Sequence, residues 1–513
     1  MHDWVIAVIG VAVIFLMAGY VVMGRRHQNK ADRHNQKDQR HTDSGVPLNS
    51  RPQDKNSLKK KAASLSEKNK TYSCLPREQH CVSRRVISPN ALKVLHRLNS
   101  HGYEAYLVGG CIRDLLLSLT PKDFDVTTSA TPEEVHQLFR NSRVIGRRFK
   151  LVHVLYGREI IEVATFRANS NGLSEESRCA KRSASGRILR DNVYGSLEDD
   201  AFRRDFTVNA LYYSAEKLSV IDYCGGVRDM ESKLLRLIGD ADERYREDPV
   251  RMLRAIRFSV KLHFSMAPET AMPIRDMAEL LKDIPAARLF DEVLKLLQSG
   301  RGEQTFELLK EYGLFEPLFP LTCRALSGDD EGQFERFVRC ALKNTDERIN
   351  QEQSVTSAFL FAALLWRPLQ QQAAVLMQKD IPEIPAIQQA ATLVLSRQSR
   401  HTALPRRISY TIREIWELQV RLVRRQPRTV RMLPDHPRFR AAYDFLLLRE
   451  KAGEELSGAG HWWAKLQVLN EQGHNDPIQV LGHYKASGEK RSNSRRRRPH
   501  RKQGNVHHSS GAK

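Results

Sequence analysis

Lys122-Asp123-Phe124-Asp125-Val126 sets two carboxylates two residues apart among apolar neighbours. In a β-strand, residues i and i+2 share a face. Asp123 and Asp125 are therefore expected side by side, with Phe124 and Val126 turned to the core. Like charges at that spacing repel unless a cation lies between them. Mg2+ accepts such a mixture of carboxylate, phosphate and water oxygens. The plainer reading is a solvated Pro-Lys-Asp turn, but Phe124 and Val126 favour a strand. A third acid, Glu162, lies inside the β-like run Ile160-Ile161-Glu162-Val163-Ala164. It belongs either on a wet sheet face or in a site, where it would support the metals as a further catalytic carboxylate.

Leu107-Val108-Gly109-Gly110-Cys111-Ile112-Arg113-Asp114 reads as a strand, two glycines and a helix start. Gly109 and Gly110 allow close backbone approach to a phosphate, and a helix start supplies oriented N–H groups. Arg113, in the first turn, is expected to reach the same anion. Alone, such a turn is more often only a tight turn. Arg203-Arg204-Asp205-Phe206-Thr207-Val208-Asn209-Ala210 adds two guanidiniums that can neutralise a triphosphate and an acid, Asp205, that can accept from a ribose hydroxyl. The structural alternative is a helix start capped by Asp205. In Glu247-Asp248-Pro249-Val250-Arg251-Met252-Leu253-Arg254, Arg251 and Arg254 share a helical face. Asp248 is expected to cap that helix, with Pro249 at its first position. The same face, carrying an acceptor and donors, can also read a base edge.

These residues need elements to hold them. Ala91–Gly102 has helical periodicity, with Leu92, Val94, Leu95 and Leu98 on one side. AYLVGG, DFDVTT, KLVHVLYG and EIIEVATF read as strands. Thr131-Pro132-Glu133-Glu134 carries a capping-box signature between the second and third. Strands interleaved with helices give a mixed α/β head over residues 86–235. Residues 169–190 are rich in Ser, Arg and Gly and are expected to form a mobile loop. Beyond residue 236 the pattern is helical, giving a neck (236–300) and a body (301–470).

The formal net charge is +22 over 513 residues, but it sits at the ends. Residues 25–85 carry 16 Lys/Arg against 6 Asp/Glu, and residues 485–513 carry 10 against 1. Both read as basic arms for nucleic acid or an anionic membrane. The first is a disordered linker, and the second lies in a disordered tail (471–513) where Arg495, Arg496, Arg497 and Arg498 are candidate RNA contacts. Seven cysteines, widely spaced and without a CxxC, argue against a disulfide framework or zinc site and for a reducing compartment. Trp4 to Gly24 is free of charge and long enough to span a bilayer. Arg25, Arg26 and Lys30 follow it, so a span would leave the remaining chain in the cytoplasm, on the inner face of the membrane. A start codon downstream of that segment is the competing explanation.

LVGGCIRD, KDFDV, RRDFTVNALYY and EDPVRMLRAIRF, in this order and spacing, resemble the class II tRNA-nucleotidyltransferase and bacterial poly(A) polymerase superfamily. Each motif is weak alone and the combination is specific. TPKDFDVTTSATPEEV, LFDEVLKLLQSG, YGLFEPLFP, HPRFRAAYDFLLLR and the Arg-rich C-terminus are similar to the poly(A) polymerase branch, over roughly residues 86–470. The resemblance implies an α+β fold: a polymerase-beta-like nucleotidyltransferase head with a mixed sheet, then an all-helical neck and body. It implies that Gly110 and Arg113 bind nucleotide phosphates and that Asp123 and Asp125 hold two Mg2+. It further implies that Arg204 contacts the incoming ATP, that Asp205 is a catalytic or ribose-binding acid, and that Asp248, Arg251 and Arg254 read the base. The implied activity is template-independent addition of AMP to RNA 3′ ends, with release of pyrophosphate and consequences for RNA processing and decay. Two other readings remain at this level: a CCA-adding tRNA nucleotidyltransferase, and a non-catalytic, membrane-tethered RNA-binding protein. The intact acidic pair beside GGCIRD weighs against the second.

Overall fold

A computed structural model describes residues 72–146, 150–168 and 193–472, with the backbone of 181–182 and 188–190. The apolar run at 4–24, most of the basic linker, most of the 169–190 loop and Arg495–Arg498 lie outside the described residues. Among the described residues, no helix is long and apolar enough to cross a membrane.

The head is built on strands β1 (Ser73–Leu75), β2 (Ala105–Val108), β3 (Asp125–Thr128), β4 (Ser142–Ile145), β5 (Leu151–Tyr156), β6 (Glu159–Thr165), β7 (Lys181–Arg182), β8 (Ile188–Arg190), β9 (Leu211–Ser214) and β10 (Ser219–Asp222). Eight of them form one sheet in the order β1-β10-β9-β2-β3-β6-β5-β4, while β7 and β8 pair as a separate ribbon. Every pairing in the large sheet is antiparallel except β3 with β6. That parallel pair needs a crossover, and the helix Pro132–Leu138 lies within it. The helix begins as its sequence dictates: the Thr131 hydroxyl accepts from the Glu134 N–H (3.3 Å) and the Glu134 carboxylate accepts from the Thr131 N–H (2.7 Å).

The helix Pro89–Ser100 buries Ala91, Val94, Leu95 and Leu98 against the sheet core, and Ser88 caps it. Leu92 is only half-buried. The folded head also starts earlier than its composition suggests. Ser73–Leu75 pairs with β10, and Val82 and Ile87 are buried, so residues 72–86 belong to the head and not to a linker. The basic, polar composition there hides a single edge strand that needs few apolar residues, because a neighbouring strand already satisfies its backbone.

After the head, the chain is helical apart from a two-residue parallel pairing of Leu234–Leu235 with Ser265–Met266. The helix Val250–Leu262 buries Met252, Leu253, Ala255, Ile256 and Phe258 and leads into the body. One continuous core joins the sheet, this helix and the first body helices. A second cluster, around Trp463, Tyr443 and Leu446, closes the far end.

Candidate active site

Val108 pairs with Asp125 across β2 and β3, and Val126 pairs with Val163 across β3 and β6. Val126 and Val163 are buried, so Asp125 and Glu162, one residue earlier on each strand, share the opposite face. Immediately after Val108 the chain turns at Gly109, whose φ of +78° is a left-handed conformation that glycine adopts without strain. A side chain at Gly109 would also press against Arg204 Nη1 at 3.4 Å. Asp125, the diglycine turn and Arg204 therefore meet at one place on the sheet.

Asp123 departs from the expected geometry. β3 begins at Asp125, so Asp123 lies ahead of the strand and is exposed. On one side β2 ends at Val108, and on the other the pairing with β6 begins only at Val126 although β6 starts at Glu159, so the chain at Asp123 lies outside both ladders. The charge is still felt. Burial, then Glu162, and then Asp123 push the Asp125 carboxyl up to about 6, against the pull of Arg204. Glu162 is half exposed and faces His153 across the strands, with Nε2 at 3.2 Å from its Oε1.

The donor set can be tested against a metal on this crowding. Three carboxylates repelling one another is the arrangement that a hard cation relieves. Among the described residues no group of three or more acidic, His or Cys side chains closes on one point. A Mg2+ ion would take one or two of these carboxylates, with water and substrate phosphate in its remaining positions.

The arginines around the turn all have partners within the protein. Arg113 is buried; it donates to Asp114 Oδ1 (2.9 and 2.6 Å) and to Asn209 Oδ1 (2.5 Å) and lies over the Phe258 ring. It braces the turn, with Nη2 3.5 Å from the place a Gly110 side chain would take, and three of its five N–H donors are engaged by protein, where the sequence leads one to expect an anion. The local sequence hides this because Asn209 lies 96 residues away. Arg204 donates from Nε and Nη2 to Asp200 Oδ2 (3.2 and 3.0 Å) and from Nε to the Tyr212 hydroxyl (3.0 Å). Tyr212 in turn donates to Asp200 (2.9 Å). Arg203 is lowered to about 10 by burial and by the nearby Arg167 and Arg244. Arg244 is also lowered to about 10, by burial and by Arg251. Both remain partnered: Arg203 Nη1 donates to the Ala168 carbonyl (2.8 Å) and Arg244 Nη1 to Glu247 Oε2 (2.9 Å).

Asp205 does not cap a helix. Its Oδ1 accepts from the Phe206 N–H (2.9 Å) and the Asn209 amide (3.2 Å), and its other oxygen pairs with Arg254. Burial opposes ionisation of Asp205, yet Arg254, Asn209 and the Phe206 N–H hold it below the usual carboxylate range. Asp248 does not cap one either. The helix at Val250 has no side-chain cap, and Asp248 Oδ2 accepts from Arg288 (2.7 Å) instead. Arg251 turns back to Glu247 Oε2 (3.0 Å) and the Arg244 carbonyl (2.7 Å), so it and Arg254 take different partners.

Sequence reasoning missed Asp114, Asp200, Asn209, Tyr212, Arg244, Glu247 and Arg288. Two of these had a readable signal: Asp200 with Arg204 and Glu247 with Arg251 are i, i+4 pairs. Arg288 had none, being 40 residues from its partner.

Residues 105–236 match the poly A polymerase head domain, 263–326 the probable RNA and SrmB-binding site of polymerase A, and 379–502 the polymerase A arginine-rich C-terminus. The poly(A) polymerase I of Salmonella typhi is 49% identical over 435 residues, covering 84% of this chain and 93% of that protein. The chain belongs to the poly(A) polymerase I family. The Haemophilus influenzae member is 46% identical, over 82% of this chain and 94% of its own length. A CCA-adding enzyme of Lactobacillus gasseri is 40% identical over only 44% of this chain, which limits that similarity to part of the molecule. Among solved structures, a tRNA-processing enzyme superposes with a TM-score of 0.50 at 22% identity, over 76% of this chain and 99% of that one; the likeness carries the fold. Within the poly(A) polymerase fold, the acidic cluster has a direct pH consequence. Nucleotide addition should fall as pH drops through about 6, where Asp125 takes up its proton. Were Asp125 to hold Mg2+, raising the metal should move that midpoint lower, because metal and proton would compete. A pH–rate profile at two metal concentrations checks this, and a midpoint that ignores metal overturns it.

Proposed function

We propose that this protein is a polynucleotide adenylyltransferase that adds AMP from ATP to RNA 3′ ends without a template. The observation that carries this is the register placing Asp125 beside the Gly109–Gly110 turn, with Glu162 on the next strand, in a chain nearly half identical to poly(A) polymerase I along most of its length. Asp123 and Asp125 hold the divalent cations. When bound, these lower the pKa of the RNA 3′-hydroxyl and neutralise charge on the leaving pyrophosphate.

The remaining work belongs to side chains. The turn at Gly109 and Gly110 leaves room for phosphate against the backbone. Arg203 and Arg204 balance the triphosphate charge, and Tyr212 and Asp200 hold Arg204 in place. Asp205, steadied by Arg254 and Asn209, stands ready to accept from a ribose hydroxyl. Asp248, Arg251 and Arg254 line the neck where a base is read, and Arg288 and Glu247 restrict how the first two can turn. Positioning and charge neutralisation supply most of the rate, because phosphoryl chemistry asks little covalent participation of the protein. The basic tail with Arg495–Arg498 adds RNA contacts without sequence preference. The apolar segment at 4–24, where translated, would hold the enzyme at the cytoplasmic face of a membrane.

Given unstructured RNA and one nucleotide at a time, the purified protein is expected to make long tails with ATP alone and to release pyrophosphate only with a divalent metal. Addition that stops after CCA on tRNA sinks this reading in favour of tRNA repair.

A further inference from the structure

The helical body contains a cleft of about 540 Å3. Its walls come from the helices Gln333–Asn350, Ser357–Leu364, Arg406–Arg424 and Phe439–Lys451. Arg348, Arg407, Arg438 and Arg440 line it, and Asp444 is the one acid among its lining residues. Asp444 is shared, with Arg440 at 3.1 Å and Arg348 at 3.7 Å. Arg438 is held at its rim by Glu414 (3.3 Å). Arg407 is exposed and has no ion-pair partner among the described residues. The cleft thus carries excess positive charge that the protein itself does not neutralise.

Between the arginines the wall is mixed. Val355, Phe359 and Ile408 present apolar surface, and Asn344, Thr356 and Ser357 present polar groups. Guanidinium forks match phosphate, and an aromatic or aliphatic wall accepts a sugar edge or base face. The volume exceeds what an inorganic phosphate needs and falls in the range for a nucleotide-sized ligand.

We infer that this cleft holds a nucleotide of the RNA strand upstream of the 3′ end being extended, as a contact distinct from the head. The inference rests on the reading of RNA as the substrate. The ligand chemistry, a nucleoside phosphate, is shared by a strand and by a free nucleotide. The strand is favoured because the arginines come from three different helices and two of them, Arg407 and Arg440, are exposed, the Arg440 side chain being 73% accessible. Such contacts grip a polyanion without fixing it, so a strand held this way can advance after each addition.

The test removes charge at the two exposed arginines. Arg407→Ala with Arg440→Ala leaves Arg348 to pair with Asp444. Binding of an unstructured RNA of about 20 nucleotides is measured by fluorescence anisotropy across salt, without ATP or metal, beside a trinucleotide. RNA affinity is expected to fall roughly tenfold at low salt, and the slope of log K against log salt to shrink by about 1.4, at about 0.7 per single-strand phosphate contact. Trinucleotide affinity should be unchanged, and lysine at both positions should restore the slope. An unaltered slope for the longer RNA overturns the inference. So does loss of AMP binding, measured by equilibrium dialysis, with RNA binding intact, since that outcome assigns the cleft to a free nucleotide. The binding measurement needs no catalysis, so failure of this inference is distinguishable from failure to add AMP.

Discussion

Replacing Asp125 with asparagine lowers nucleotide addition by at least about 10³-fold and raises the melting temperature of the metal-free protein at neutral pH. Both halves follow from one environment. The Asp125 carboxyl is pushed from 3.8 up to about 6 by burial and by the Glu162 and Asp123 charges. Between those values the folded state binds more protons than the unfolded state, so stability falls as pH rises from about 4 to about 6 and stays reduced above. Asparagine keeps the shape and removes the charge. The variant should therefore melt higher than the parent at neutral pH, and the gap should narrow towards pH 4. Activity goes the other way, because the amide gives up the anionic oxygen that a divalent cation needs. Asp123→Ala should also lose most activity with little change in melting, since that side chain is exposed. Thermal scans without metal and pyrophosphate release with it measure the two effects. Near-parental activity sinks the catalytic assignment, and a lower melting point at neutral pH sinks the electrostatic account.

Glu247→Ala is expected to cost about 3–5 kcal/mol of stability, the range for removing one partner of a buried ion pair. Glu247 is 9% accessible at its side chain and accepts from Arg244 (2.9 Å) and Arg251 (3.0 Å), each 12% accessible. Its loss leaves two buried guanidiniums that already repel. The damage should reach the nucleotide site, because Arg244 also donates to the Arg203 and Arg204 carbonyls (2.7 and 2.6 Å). KM for ATP should rise with the fall in stability. Adding Arg251→Leu to Glu247→Ala should recover part of the stability, since one uncompensated charge goes with it. Urea midpoints for the two variants decide the matter; a neutral Glu247→Ala rejects the network as structural.

What is legible in the sequence is mostly local. The alternation of apolar residues locates four strands of the head, and Thr131-Pro132-Glu133-Glu134 announces its helix because a capping box closes within four residues. Asp125 and the diglycine turn can be paired because both lie at the ends of short, strongly patterned runs. The misreadings concern partner choice across the fold. Within its own motif Arg113 is free to bind an anion; in the fold Asn209 and Asp114 occupy it. Asp248 stands where a cap belongs, yet Arg288 faces it. Spacing alone puts Asp123 in a strand, but β2 stops at Val108 and the ladder to β6 opens only at Val126, so the strand begins at Asp125. Periodicity reports which face a residue takes; it says nothing of what waits on the other side.

The parallel pairing of β3 with β6 has a consequence for synthesis. Asp125 gains Glu162 only when β6 has emerged, and β2 gains its other neighbour only with β9, at residues 211–214. Asp205 then waits for Arg254, and Asp248 for Arg288. Contacts separated by so much chain form late. A nascent polypeptide, or a fragment released early from the ribosome, is therefore expected to lack these contacts, and with them ATP handling, until more than half of its length has been translated.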